Sequence, residues 1–197
     1  MRPSQSALTD TIAGALSRYE SDDNLGALFD TLRGVARSVD VDSLLAAAEP
    51  FRDRPAVVIP LFEHVITQRP ADARALVTLA NAYWLSGRGP EIVEDLATRA
   101  KTADPANRAA WHLWALSEPT VRDRVQRWRK VSEEFPRDQL ARAALADNAA
   151  GLAGAEHDPV ALDLAVSTYQ GLLDEADTPT QKRALEQTLE TLRSWKL

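Results

Sequence analysis

The chain has no cysteine among its 197 residues. That excludes disulfide scaffolds, thiol catalysis, iron–sulfur clusters and cysteine-ligated zinc. Glycine is scarce, with eight residues, and aromatics make up only 6%. The few glycines form no phosphate-cradling loop, and no G-x-S-x-G nucleophile turn is present. No window approaches the ~20 apolar residues that span a bilayer. Positive charge is in deficit: 23 Lys and Arg against 29 Asp and Glu give a net charge of -6. This balance argues against broad binding to a phosphate backbone, which needs a basic footprint. The opening Met1-Arg2-Pro3-Ser4-Gln5-Ser6 has no apolar core of a signal peptide and no cleavage pattern, so a soluble, cytoplasmic protein is expected.

What the chain does have is alanine, leucine, arginine and glutamate, within a hydrophobic share of 45%. These residues lose little side-chain entropy in a helix. Apolar residues recur at helical period throughout. Leu8, Ile12, Ala13 and Leu16 form a first stripe, and Leu25, Leu28, Phe29, Leu32 and Val35 a second. Between them, Ser21-Asp22-Asp23-Asn24 supplies turn and capping chemistry. Leu44, Leu45, Ala48 and Phe51 form a third stripe, which Pro50 should end or bend. Asp53-Arg54-Pro55 opens a fourth helix with Val58, Leu61, Phe62, Val65 and Ile66 on its apolar face, closed by Pro70. Thr178-Pro179 opens a last helix with Leu185, Leu189, Leu192 and Trp195 on one side and polar residues on the other.

The most informative stretch is Pro70 to Pro105. It reads Leu76-x2-Leu79-Ala80-x2-Tyr83, a Ser86-Gly87-Arg88-Gly89-Pro90 break, Val93-x3-Ala97, and a closing Asp104-Pro105. If Leu79 is matched to Ile12, Leu45, Trp114 and Leu145, the spacings are 33, 34, 35 and 31 residues. The next residue is alanine each time: Ala13, Ala46, Ala80, Ala115 and Ala146. These alanines are expected where two helices of a pair approach closely. A second series, Phe29, Phe62, Ala97, Trp128 and Tyr169, keeps the same frame with spacings of 33, 35, 31 and 41. Length differences are expected to fall in turns, the longest being Gly151 to Pro159, where Asp158 can cap a helix starting at Pro159.

This order of large, small, aromatic and proline positions resembles the tetratricopeptide repeat, in degenerate form, over most of the chain. The resemblance implies an all-α, right-handed superhelix in a single domain, residues 1–197. It would have about five helix pairs (6–38, 39–72, 73–107, 108–138, 139–177) and a C-terminal capping helix, 179–196. Glu118 and Arg124 depart from the pattern, where an aromatic and a small residue are usual. A non-repeating helical bundle is the architectural alternative.

In tetratricopeptide domains the first helix of each pair lines a concave groove. Carried onto this chain, the groove residues are Arg74, Val77, Asn81 and Trp84, with His112 and Asp147 from later pairs. Asn81 matches an asparagine that holds peptide backbone or a terminal carboxylate in chaperone-binding members, and only Arg74 is a cationic companion. The resemblance thus implies a non-catalytic adaptor, scaffold or assembly subunit that binds a peptide or helix of another protein. No cofactor, metal, membrane or nucleic-acid partner is expected. None of His64, His112 and His157 is spaced for metal, and the carboxylates sit near helix ends and solvent faces.

Two rivals remain at this level. One is a regulatory or nucleic-acid-associated helical protein: Arg122, Arg124, Arg127, Arg129 and Lys130 surround Trp128, an arrangement that can bind nucleic acid or an acidic partner. However, Val121, Val125, Trp128 and Val131 share a stripe, which reads as a core face beneath a salt-bridged one. The other rival is a helical enzyme subunit using His112 and groove carboxylates; the plainer reading of His112 is a half-buried side chain at a helix interface.

Overall fold

The computed structural model describes residues 4–196; Met1-Arg2-Pro3 and Leu197 lie outside the described residues. Among the described residues there are eleven α-helices, one short 3-10 turn and no strand. The chain divides into two compact units, Met1–Leu113 and Trp114–Leu197.

The first unit contains α1 (Gln5–Asp22), α2 (Leu25–Ser38), α3 (Val41–Ala48), α4 (Pro55–Gln68), α5 (Ala73–Leu85), α6 (Pro90–Ala103) and the start of α7 (Arg108–Leu116). Helix α1 packs on α2 and α3, both α2 and α3 pack on α4, α4 packs on α5, and α5 on α6. The second unit contains α8 (Val121–Glu134), α9 (Gln139–Glu156), α10 (Pro159–Asp174) and α11 (Pro179–Arg193), each packed on the next.

The helix starts follow from local chemistry. The first amides of a helix have no partner inside it, and a short oxygen side chain just before it supplies one. Asn24 accepts from the Ala27 amide at 3.0 Å, Asp40 from Ser43 at 2.9 Å, Asp72 from Ala75 at 3.0 Å and Thr178 from Gln181 at 3.2 Å. Proline begins α4, α6, α10 and α11, where its missing N–H costs nothing. Gly87, at φ 66, makes the left-handed turn that ends α5 and allows Pro90 to open α6.

Burial explains why α4 lies at the centre of its unit. Val57 to Phe62 are all buried, including Pro60, so the helix has apolar surface for three neighbours at once. Pro50 acts as expected: α3 ends at Ala48 and a 3-10 turn, Glu49–Phe51, carries the chain onward.

Two expectations of the repeat register are corrected. Ala80, Ala115 and Ala146 are fully buried, but Ala13 and Ala46 are exposed. Helix α3 instead buries Leu44, Ala47 and Ala48, the same i, i+3, i+4 pattern as Leu76, Leu79 and Ala80 on α5. The equivalent of Ala80 in α3 is therefore Ala48. Either leucine of Leu44-Leu45 can anchor the helix, and only Leu44 is in phase with both following buried alanines. In α1 the buried set is Leu8, Ile12, Ala15 and Leu16. This register has a direct test. Ala48→Leu should overpack the core and cost about 1–3 kcal/mol. Ala46→Leu should stay within about 0.5 kcal/mol of wild type in urea denaturation.

The second correction concerns Gly151 to Glu156, which forms the last turns of α9 and not a connection. Leu152 and Ala153 are buried in phase with Leu145, Ala146 and Ala149, and that burial outweighs about 1 kcal/mol per helical glycine. His157, at φ 52, ends the helix in the left-handed region. Gly154 also has a packing reason: a Cβ there would lie 3.4 Å from the Trp195 ring. Trp195 itself follows α11, which ends at Arg193.

Candidate functional site

Helix α5 packs on α4 and α6 and presents polar and aromatic side chains to solvent. Its core face is Ala75, Leu76, Leu79, Ala80 and Ala82. The opposite stripe, at spacings of three and four residues, is Arg74, Val77, Asn81 and Trp84. Arg74 and Asn81 are exposed, Val77 is half-buried and Trp84 is 38% exposed. Among the described residues the Arg74 guanidinium has no ion pair and the Asn81 amide no hydrogen bond. Asn81 therefore does not bridge backbone groups within the stack.

The neighbouring Tyr83 holds the orientation of this stripe. Its hydroxyl donates to Glu63 Oε1 on α4 at 2.8 Å, and Glu63 meets Arg33 of α2 at 3.5 Å. Burial, reinforced by the Glu63 carboxylate, pushes the Tyr83 hydroxyl up to about 12. At the helix end, the Arg88 amide donates to the Tyr83 carbonyl at 3.0 Å and the Arg88 guanidinium lies 5.4 Å from the Tyr83 ring centre. The stripe is thus carried on a helix fixed at both ends, by Asp72 and by the Gly87 turn.

Arg74 borders a cleft of about 90 Å³ that is also lined by Leu45, Phe62, Thr78 and Arg52. Arg52 is a residue that sequence counting missed. It follows the 3-10 turn after Pro50, outside any helical register, and pairs with Glu49 at 3.0 Å. Its signal was the proline break itself, which places the next residues off the helix axis.

His112 and Asp147 sit in different settings. His112 is half-buried on α7, next to Trp111, whose indole N–H donates to the Pro105 carbonyl at 2.9 Å beneath Lys101 at 4.0 Å from the ring centre. Asp147 belongs to the second unit, on α9, and accepts a hydrogen bond from the Tyr169 hydroxyl of α10. Burial and the Asp147 carboxylate push Tyr169 up from its ordinary range. The structure therefore gathers Arg74, Val77, Asn81 and Trp84 on one stripe, while Asp147 is tied to its own neighbour.

The basic segment of α8 is largely engaged inside the second unit. Arg122 bonds Glu156 and, at 3.2 Å, Asp158. Arg124 donates to Asn148 Oδ1 and to the Glu118 carbonyl, both at 2.8 Å. Arg127 donates to the Trp114 carbonyl at 2.8 Å, pairs with Glu118 at 2.7 Å, and lies 4.8 Å from the Trp114 ring centre. Trp128 is 5% exposed, so its faces are not open to a base. Glu118 and Arg124 are thus joined in one polar cluster, through the Glu118 carbonyl and through Arg127.

Asp158 illustrates how these contacts set pH dependence. Backbone N–H bonds, chiefly from Ala161 and then Val160, together with Arg122, hold its carboxyl below the usual 3.8. A lowered folded pKa contributes stability above 3.8 that is lost as pH falls through the folded value. Asp158→Ala should therefore lower stability at pH 7 while flattening the acid limb below about pH 4, read by urea midpoints across pH.

Among the described residues, no group of three or more His, Asp or Glu is placed to hold a metal, and no helix is long and apolar enough to cross a membrane. The class these observations define is an all-α protein of repeat-like, sequentially packed helices. No protein-family model matches the chain, and no curated protein matches it significantly in sequence.

Proposed function

We propose that the chain is a tetratricopeptide-like superhelical module, without catalytic activity of its own, that holds a segment of another protein against the outer stripe of α5. The observation that carries this reading is the contrast between the two faces of that helix. One face is filled with buried leucine and alanine and locked by Tyr83. The other offers a 38%-exposed indole and a half-buried valine beside an uncommitted amide and guanidinium. An aromatic anchor with adaptable polar neighbours is the composition that concentrates binding energy at protein interfaces.

The occupant that fits is an amphipathic helix. Val77 and Trp84 supply apolar contact at helical spacing, and Arg74 and Asn81 flank it with polar groups. A carboxylate-terminated tail would need a denser set of cations than Arg74 and the Glu49-paired Arg52 provide.

Affinity capture with wild type and with the double variant Asn81→Ala/Trp84→Ala tests the proposal. Proteins retained by the wild type should be lost from the double variant at unchanged circular dichroism. Recovery of the same proteins by both would remove the α5 stripe from the binding face.

A further inference from the structure

A second site stands out within the Trp114–Leu197 unit. Helices α8, α9 and α10 line an open, shallow cleft of about 320 Å³ whose wall includes Leu145. Two guanidiniums line it. Arg129 of α8 is half-buried and, among the described residues, has no ion pair, even with Glu133 one turn further on, which also lines the cleft. Arg142 of α9 is held in place: its side chain is 16% exposed and pairs with Glu175 at 2.6 Å. It lies so close over Gly171 that a Cβ there would come within 2.8 Å of its Nη2 atom. Fixing one guanidinium nitrogen on Glu175 leaves its other N–H groups oriented without further loss of freedom.

The third group is Ser132 of α8. Its hydroxyl oxygen is buried and has no hydrogen-bond partner among the described residues. A buried hydroxyl without a protein partner is costly in a folded protein, and a water, an ion or a ligand group can complete it. Ser167 and Thr168 donate their hydroxyl hydrogens to the Leu164 carbonyl, so they present only acceptors to the cleft. The donors lining the cleft are therefore Arg129, the N–H groups of Arg142 not engaged by Glu175, and Ser132.

We propose that this cleft binds an oxyanion, a carboxylate or phosphate group carried by a ligand, received by Arg129 and Arg142 with Ser132 as the third donor. Glu133 at the rim selects against a dense anionic ligand and favours one with a single charged group. The site is independent of the α5 stripe and of what that stripe holds.

Two-dimensional ¹H–¹⁵N NMR of the full chain tests this, with titrations of phenyl phosphate and of sodium acetate against sodium chloride at matched ionic strength. Saturable shifts confined to the cleft residues are expected with at least one of the two ligands, and which one responds names the ligand class. Binding should weaken at least tenfold in Arg129→Ala, and it should also weaken in Ser132→Ala, whose free form should be no less stable than wild type because the unpartnered hydroxyl is gone. Shifts that do not saturate, that match the chloride control, or that persist unchanged in Arg129→Ala overturn the proposal.

Discussion

Replacing Arg127 with alanine is expected to destabilise the second unit by about 3 kcal/mol, the low end for breaking a buried ion pair. The side chains of Arg127 and Glu118 are 16% and 12% exposed and meet at 2.7 Å. Removing the arginine leaves the Glu118 carboxylate nearly buried without its counter-charge, strips a donor from the Trp114 carbonyl and takes a cation from the Trp114 ring. The size of the effect comes from the abandoned carboxylate more than from the lost attraction, which has a checkable consequence. The double variant Arg127→Met/Glu118→Leu should recover most of the loss, because both charges then leave together and the volume stays filled. Urea denaturation followed by tryptophan fluorescence separates the two variants. Equal losses in both would mean that the pair itself, and not desolvation, sets the energy.

The second large effect is expected at Leu79. It is 1% exposed, on the core face of α5, a helix that packs on α4 and α6. Leu79→Ala should cost about 3 kcal/mol in the first unit, from lost transfer energy plus the cavity left behind. The substitution lies one helical turn from Tyr83, so the hydroxyl bond to Glu63 reports whether the damage stays local. If α5 keeps its seat, Tyr83 should still ionise only around pH 12. The sign follows from linkage: a raised tyrosine pKa stabilises the fold below its ordinary value of 10.0, and that contribution is lost as pH rises through the folded value. A destabilisation under about 1 kcal/mol would mean that α5 repacks freely and is not the rigid carrier described above.

Helix starts were the most legible part of the fold, because their signals are local. A short oxygen side chain or a proline acts on amides within one turn, so Asp53-Arg54-Pro55, Asp158-Pro159 and Thr178-Pro179 announced α4, α10 and α11 directly. Register was less legible where alanine carried it. Alanine is small and only weakly apolar, so a solvent-facing alanine such as Ala46 looks the same in sequence as a buried one such as Ala48. Phase is legible where a large neighbour fixes it, as Tyr83 does for Ala80 and Trp128 does on α8. The same weakness made Gly151 to Glu156 look like a connection. Two glycines suggested a break, while the phase of Leu152 and Ala153 with Leu145 was the signal for continued helix. At the candidate site, the stripe on α5 was legible from spacing alone. Arg52 and the Arg129–Ser132–Arg142 cleft were not, because they depend on which helices become neighbours, which no local pattern encodes.

The central claim is that a partner lies along the outer stripe of α5. Site-specific photo-crosslinking addresses it most directly, with p-benzoylphenylalanine introduced in place of Val77 and, as a control, in place of Val160, which is 71% exposed on α10. One or a few discrete crosslinked proteins are expected from position 77, abolished by Asn81→Ala/Trp84→Ala, and none of them from position 160. The same products from both positions, or none from position 77 while position 160 crosslinks, would contradict it.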